Sequence, residues 1–363
     1  MKAILLATGG LALIGLATVA PQRPPADNDN MTLTAIEGIK VGHITLTERP
    51  TGCTVILAKD GTVGSVDVRG GAPGTRETEL LNPVNDVKIV NAIVLAGGSA
   101  YGLDAATGTV KWLDEHHIGY PVGAAGVVPI VPSAILIDLW FGGDPKIRPG
   151  ADCGYRAAEA ASSAPVQEGN VGAGAGATIG KMGGVTATGN AGPMKAGIGS
   201  AAIKLPNGLV VAAIVAVNAV GDVIDPATGQ VIAGVRGADG KLADARKLLR
   251  AGGGRPGRVG ENTTIGVVAT NARLSKVEAQ KIAQMAHDGY ARAISPVHTP
   301  ADGDTIFSLA TGAWDGQANY GTIGALAAEV MADAIVRAAT QATASHGLPS
   351  AREMGTIPAR FKQ

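Results

Sequence analysis

Residues 260–271 read GENTTIGVVATN. Two threonines stand at a seam. Before them lies AGGGRPGRVG, residues 251–260, with five glycines, a proline and two arginines. After them Ile265 to Ala269 is almost wholly aliphatic. Threonine suits a strand start, and such a pair ordinarily means no more than that. The other reading is that the chain is cut at the seam, so that a threonine becomes a new N-terminus. The loose backbone before the seam and the strand after it are compatible with both.

Working outward, the pattern is mixed α and β. The apolar run from Thr264 to Thr270 is a strand. SKVEAQKIAQMAHDGYARAIS, from Ser275, opens with a capping box, Ser275 to Glu278, and carries Val277, Ile282, Met285, Ala286 and Tyr290 at helical spacing. TIGALAAEVMADAIVRAATQA has Ile323, Leu326, Ala327, Val330, Met331, Ala334, Ile335 and Ala338 at the spacing of a packed helix. Upstream, TGCTVILAKDGTVGSVDVRGG reads as two strands about an Asp60-Gly61 turn, a hairpin pattern. VNAIVLAGGSAYGLDAATGTVKWLDEH reads strand, glycine turn, helix, with Ser99 placed to cap the helix. GADCGYRAAEAASS is a helix, and the stretch from Ala201 to Ile232 holds two or three strands. Strands come in runs without a helix after each one. That pattern gives layered mixed sheets covered by helices rather than a βαβ series.

Composition removes several classes of function. The 363 residues carry 30 basic and 30 acidic side chains and only 3% aromatics. A neutral chain with so few rings has no electrostatic pull toward nucleic acid and little to stack on bases. The 53 glycines are about twice the usual share of roughly 7%. They fall between short apolar runs, as tight turns and close backbone packing require. The run GAGAGATIG, residues 172–180, lacks the following helix that a dinucleotide fingerprint needs, so no cofactor is expected. Six histidines without HExxH or cysteine partners predict no metal site. Cys53 and Cys153 form no redox motif and are expected to stay unpaired.

The first thirty residues, MKAILLATGGLALIGLATVAPQRPPADNDN, place one lysine before about eighteen apolar or small residues and a polar, proline-rich stretch. This predicts an export signal with linker, cleaved near Ala17 or Ala20, and a periplasmic protein. The alternative is a membrane anchor, the run being close to the ~20 residues that span a bilayer. Residues 31–363 then form one domain.

GGSAYGLDAATG (97–108), VDVRGGAPGTRET (66–78), VPIVPSAILIDL (128–139) and AVNAVGDVID (216–225) together resemble the self-processing aminopeptidase/amidohydrolase family. That family includes L-aminopeptidase D-amidase/esterases and β-peptidyl aminopeptidases. ENTTIGVVATNARLS (261–275) and SPVHTPADGDTIFSLAT (295–311) are most similar to its 6-aminohexanoate-oligomer endohydrolase branch. The resemblance covers about residues 35–340. It implies an α+β fold, a four-layer αββα sandwich of the N-terminal-nucleophile-hydrolase type. It also implies that the chain cuts itself between Asn262 and Thr263 into an α-chain, 31–262, and a β-chain, 263–363. Carried over by position, Thr263 is the nucleophile and Lys181 the lysine after the glycine run. Asn218 is the asparagine that polarises the reacting carbonyl. Asp302 and Asp304 are the paired polar positions downstream. The family tyrosine before the aspartate of ILIDL is replaced by Ile137, so its contribution to the oxyanion has no counterpart there. The implied substrate is a small linear amide or peptide, and the implied assembly a tetramer of αβ heterodimers. Two alternatives stand beside this reading: an ornithine-acetyltransferase-like acyl transferase with a self-exposed threonine, and an exported binding protein that has lost catalysis.

Overall fold

The computed structural model describes residues 30–183, 192–253 and 261–362. Residues 1–29 of the leader and residues 254–260 of the glycine-rich linker lie outside the described residues. Two five-stranded sheets form the centre. One has the order Ile39–Thr45, Gly52–Ala58, Ala92–Ala96, Ser133–Ile135, Thr75–Arg76. The other has the order Ile198–Lys204, Val210–Asn218, Thr263–Thr270, Thr305–Ala310, Val63–Val68.

Period-2 alternation decides the layering. In the Val210–Asn218 strand, Ala212, Ile214 and Ala216 face the other sheet, where they meet Ile56, Ile93, Leu95 and Leu136. Val211, Ala213, Val215 and Val217 face the opposite way, into a core shared with Ile282, Ala286 and Tyr290 of the helix Lys276–Ala293 and with Ile323, Val330 and Ala334 of the helix Tyr320–Thr340. On the outer face of the first sheet, Val55, Val94 and Ala96 pack on Ala105, Ala106 and Leu113 of the helix Ala105–Glu115 and on Ala157 of the helix Ala151–Glu159. Both faces of each sheet are therefore buried and apolar, which gives the αββα order helix, sheet, sheet, helix. Small residues let these layers close. A Cβ on Gly108 would lie 1.7 Å from the Ala151 carbonyl oxygen, and one on Gly154 would lie 1.7 Å from that of Ala105. The two outer helices thus touch backbone to backbone.

Several local expectations change. The turn at Asp60-Gly61 does not close a hairpin. Gly52–Ala58 belongs to the first sheet, and Val63–Val68 pairs antiparallel with Thr305–Ala310 in the second, so the turn carries the chain between layers. A two-sheet core offers each apolar strand a partner far away in sequence, which local turn chemistry cannot reveal. Ser99 does not cap the helix. It sits at φ 56° after Gly98 at φ 85°, and a short 3-10 segment, Ser99–Asp104, intervenes before Ala105. Val277 is 63% exposed, whereas the capping box at Ser275 and Glu278 is present.

Cys53 and Cys153 are joined in a buried disulfide, contrary to the expectation that they remain apart. Cys53 lies on an inner strand and Cys153 on the helix packed over it, 6.2 Å apart at Cα. A separation of 100 residues hides that proximity from the sequence. Closing so long a loop restricts the unfolded chain and contributes about 2–5 kcal/mol. The Cys53→Ala/Cys153→Ala protein should therefore show a lower urea midpoint than the oxidised wild type, with a steeper denaturant slope because its unfolded chain is more expanded. Equal midpoints would show that the bridge adds nothing to stability.

Candidate active site

Thr263 is the first residue of its strand, one position earlier than the periodicity predicts, and only 2% of it is exposed. Register pairs it with Asn218, the last residue of the neighbouring strand. The Thr305–Ala310 strand runs parallel on the other side, so the loop before it, Asp302-Gly303-Asp304, arrives beside the seam. Asn262 and Asp302 form a parallel bridge there. One central strand and its two neighbours thereby bring together residues from three distant segments.

The seam is held at each of its residues. Lys181 Nζ donates to Glu261 O at 3.2 Å and to Asn218 O and Oδ1, each at 2.8 Å. The Gly303 N–H donates to the Asn262 carbonyl oxygen at 2.9 Å. Thr263 Oγ1 lies 2.5 Å from that same oxygen. The Thr264 N–H donates to Asp304 Oδ1 at 2.7 Å. The Asn262–Thr263 peptide thus lies between a hydroxyl and a main-chain donor, with an ammonium on one flank and a carboxylate on the other. A Cβ on Gly303 would sit 3.0 Å from Thr263 Oγ1, and one on Gly70 would sit 2.3 Å from the Asp302 main-chain carbonyl oxygen. Glycine at both places lets VDVRGGAPG pack directly behind the DGD loop.

Asn218 is oriented differently from the expectation. Its Oδ1 accepts from the Thr178 N–H at 3.0 Å, which fixes the amide so that Nδ2 donates to Ile137 O at 2.9 Å. Ile137 itself is half-buried and contributes its carbonyl rather than a hydroxyl. The segment that carries it is locked by Asp138. That carboxylate takes bonds from Arg49, Thr51 and the Gly98 N–H in a fully buried ion pair. Trp140 places its ring 5.7 Å from Lys181 Nζ.

Burial sets the protonation of this cluster. Desolvation lowers Lys181 to about 7, against the opposing pull of Asp302. Its three acceptors suit an ammonium, so both forms are populated near neutrality. Desolvation, and next the charge of Asp304, raises Asp302 to about 6. Asp302 Oδ2 accepts from the Thr299 N–H at 2.7 Å, while its buried Oδ1 has no partner among the described residues.

Sequence reasoning missed Gly303 as a donor, the Arg49–Asp138 pair and Lys195. The Lys195 ammonium is fully buried under the glycine run, on the carbonyls of Gly174, Ala177 and Ala196. Main-chain donors have no residue signature. A buried lysine in MKAG looks no different in the sequence from an exposed one.

Four layers with a hydroxyl residue opening a central strand define the class as an N-terminal-nucleophile hydrolase fold. Residues 31–352 match Peptidase family S58. An uncharacterized aminopeptidase of Mycobacterium tuberculosis (strain ATCC 25618 / H37Rv) is 42% identical over 350 residues, covering 89% of this chain and 97% of the relative. A 6-aminohexanoate-oligomer endohydrolase of Kocuria sp. (strain KY2) is 33% identical over 326 residues, covering 83% and 84%. Among solved structures, the L-aminopeptidase D-Ala-esterase/amidase of Ochrobactrum anthropi, described as a variant of the Ntn hydrolase fold, superposes with a TM-score of 0.66 at 18% identity, covering 91% and 95%. A β-aminopeptidase of Burkholderia sp. gives a TM-score of 0.65 at 22% identity, covering 90% and 92%. The chain belongs to Peptidase family S58 and is an amide-bond hydrolase. Membership in a peptidase family favours hydrolysis over acyl transfer to an amine and over binding without turnover.

Proposed function

We propose that the chain cuts itself before Thr263 and then hydrolyses linear amides with that threonine as nucleophile. The observation that carries this reading is the seam itself: Thr263 Oγ1 and the Gly303 N–H converge on the Asn262 carbonyl. Thr263 Oγ attacks the Asn262 carbonyl carbon, and its proton passes to Lys181. The developing oxyanion is held by the Gly303 N–H, a type of donor worth about 3 kcal/mol. As the intermediate collapses, Lys181 returns the proton to the Thr263 nitrogen, the C–N bond breaks and the acyl group is left on oxygen, and water hydrolyses the ester. The products are an Asn262 carboxylate and a free Thr263 amine. That amine, with an ordinary value near 7.7–8.0, is a second base on the nucleophile itself. Asn218 holds Lys181 and the Ile137 carbonyl in place. Asp304 fixes Thr264, and with it the strand start.

The substrate occupies the space that the Asn262 acyl group leaves. Asp302 Oδ1, buried and without a partner among the described residues, suits a substrate ammonium. Together with the aminopeptidases among the relatives at 42% identity, this supports an N-terminal aminopeptidase. Endohydrolysis of 6-aminohexanoate oligomers is the second reading, favoured by the endohydrolase relatives at 33% identity. Amine release from amino-acid amides, short peptides and linear 6-aminohexanoate oligomers, each free and N-acetylated, separates the two. Acetylation removes one partner of a buried charge pair, so kcat/KM should fall by roughly 10²-fold for an aminopeptidase. Equal rates on blocked and free substrates would overturn the aminopeptidase form in favour of endohydrolysis.

Export is proposed from the leader composition and is supported by the buried Cys53–Cys153 bridge, which an oxidising compartment maintains. Self-association of αβ units is supported by exposed Tyr120 and Val128, paired across the ribbon of Tyr120–Pro121 and Val127–Val128, with exposed Val122 in the uncharged turn beside them.

A further inference from the structure

We infer that His298 is a positioning residue, holding Asp304 in the one rotation that fixes the Thr264 N–H, next to the strand start at Thr263; this rests on the reading of Thr263 as the nucleophile. Asp304 Oδ2 accepts twice from His298, from the main-chain N–H at 3.1 Å and from ring Nδ1 at 2.9 Å. Because a carboxylate oxygen only accepts, Nδ1 is the protonated nitrogen of this contact. To bring both donors onto one oxygen, His298 adopts φ 56°, a left-handed conformation costly for a non-glycine residue. With Oδ2 anchored in this way, the carboxylate presents Oδ1 to the Thr264 N–H at 2.7 Å.

The imidazole is in turn held on two sides by one helix. His287 meets it edge-on with ring centroids 4.8 Å apart, and Tyr290 stacks on it at 5.8 Å. His287 Nε2 bonds Asp67 O at 3.1 Å, and the Tyr290 hydroxyl donates toward Thr264 O and Thr305 O at 3.3 and 3.4 Å. The same helix therefore braces the Thr263–Thr270 strand and the ring that aims Asp304 at it. A rigid support of this kind matters because a displacement of about 1 Å at a reacting group can cost roughly 10²-fold in rate.

The test compares wild type, His298→Ala, His298→Asn and Thr263→Ala. Self-cleavage is timed after a pulse of cell-free synthesis, and kcat and KM are measured on processed protein. His298→Ala removes the ring donor and should slow self-cleavage and kcat by roughly 10²-fold, with KM within twofold. Asparagine tolerates the left-handed conformation and keeps a side-chain N–H, so His298→Asn should recover to within about tenfold of wild type. A His298→Ala protein that cuts and turns over at the wild-type rate would overturn the inference. So would equal losses in both variants that track a common fall in melting temperature, since that is the signature of a merely structural residue. A Thr263→Ala chain that is still cut would instead refute the underlying reading of Thr263, a distinguishable failure.

Discussion

Replacing Thr263 by alanine is expected to leave one uncut chain with no measurable amidase activity. The hydroxyl has two uses in the proposed mechanism: it attacks the Asn262 carbonyl, and later the substrate. Removing a nucleophile of this kind costs on the order of 10⁶-fold in kcat. No neighbouring group substitutes for it. Thr264 Oγ1 is buried and has no partner among the described residues, and it lies one residue further along a strand in which side chains alternate faces. Thr263→Ser keeps the hydroxyl and should still be cut. SDS gels and intact mass distinguish the three proteins. A cut Thr263→Ala chain would place the nucleophile elsewhere.

The second large effect concerns Lys181. Before the cut, the Thr263 nitrogen is an amide and cannot accept a proton, so self-cleavage isolates the lysine from the later α-amine. Desolvation brings Lys181 to about 7, and only its neutral form can take the hydroxyl proton. The self-cleavage rate should therefore rise as pH increases through about 7 and level off above it. Lys181→Met should cut roughly 10²–10⁴-fold more slowly and lose that rise. A wild-type rate that is flat across this range, or a methionine variant with the same profile, would contradict the assignment.

What could be read from the sequence follows physical lines. Long periodic segments declare themselves: Tyr320–Thr340 and Val210–Asn218 bury apolar faces whose spacing is explicit in the chain. Motif resemblance points to Lys181, Asn218, Thr263, Asp302 and Asp304, and the fold brings them to one seam: register sets Asn218 opposite Thr263 and Asp302 beside Asn262, and hydrogen bonds tie Lys181 to Asn218 and Glu261. Long-range partnerships stayed hidden. The Cys53–Cys153 bridge, the Arg49–Asp138 pair and the strand exchange after Gly61 all join segments that no local pattern connects. Roles filled by the main chain were equally invisible. The Ile137 carbonyl and the Gly303 N–H act through atoms that every residue carries, and the direction of the Asn218 amide depends on the Thr178 N–H.

Thr263 as the residue exposed by self-cleavage is the central claim, and N-terminal sequencing with intact mass of the purified wild-type protein tests it most directly. The account predicts two chains, one of them beginning Thr-Thr-Ile-Gly. A single uncut chain in active protein, or a cut at any other bond, would contradict it.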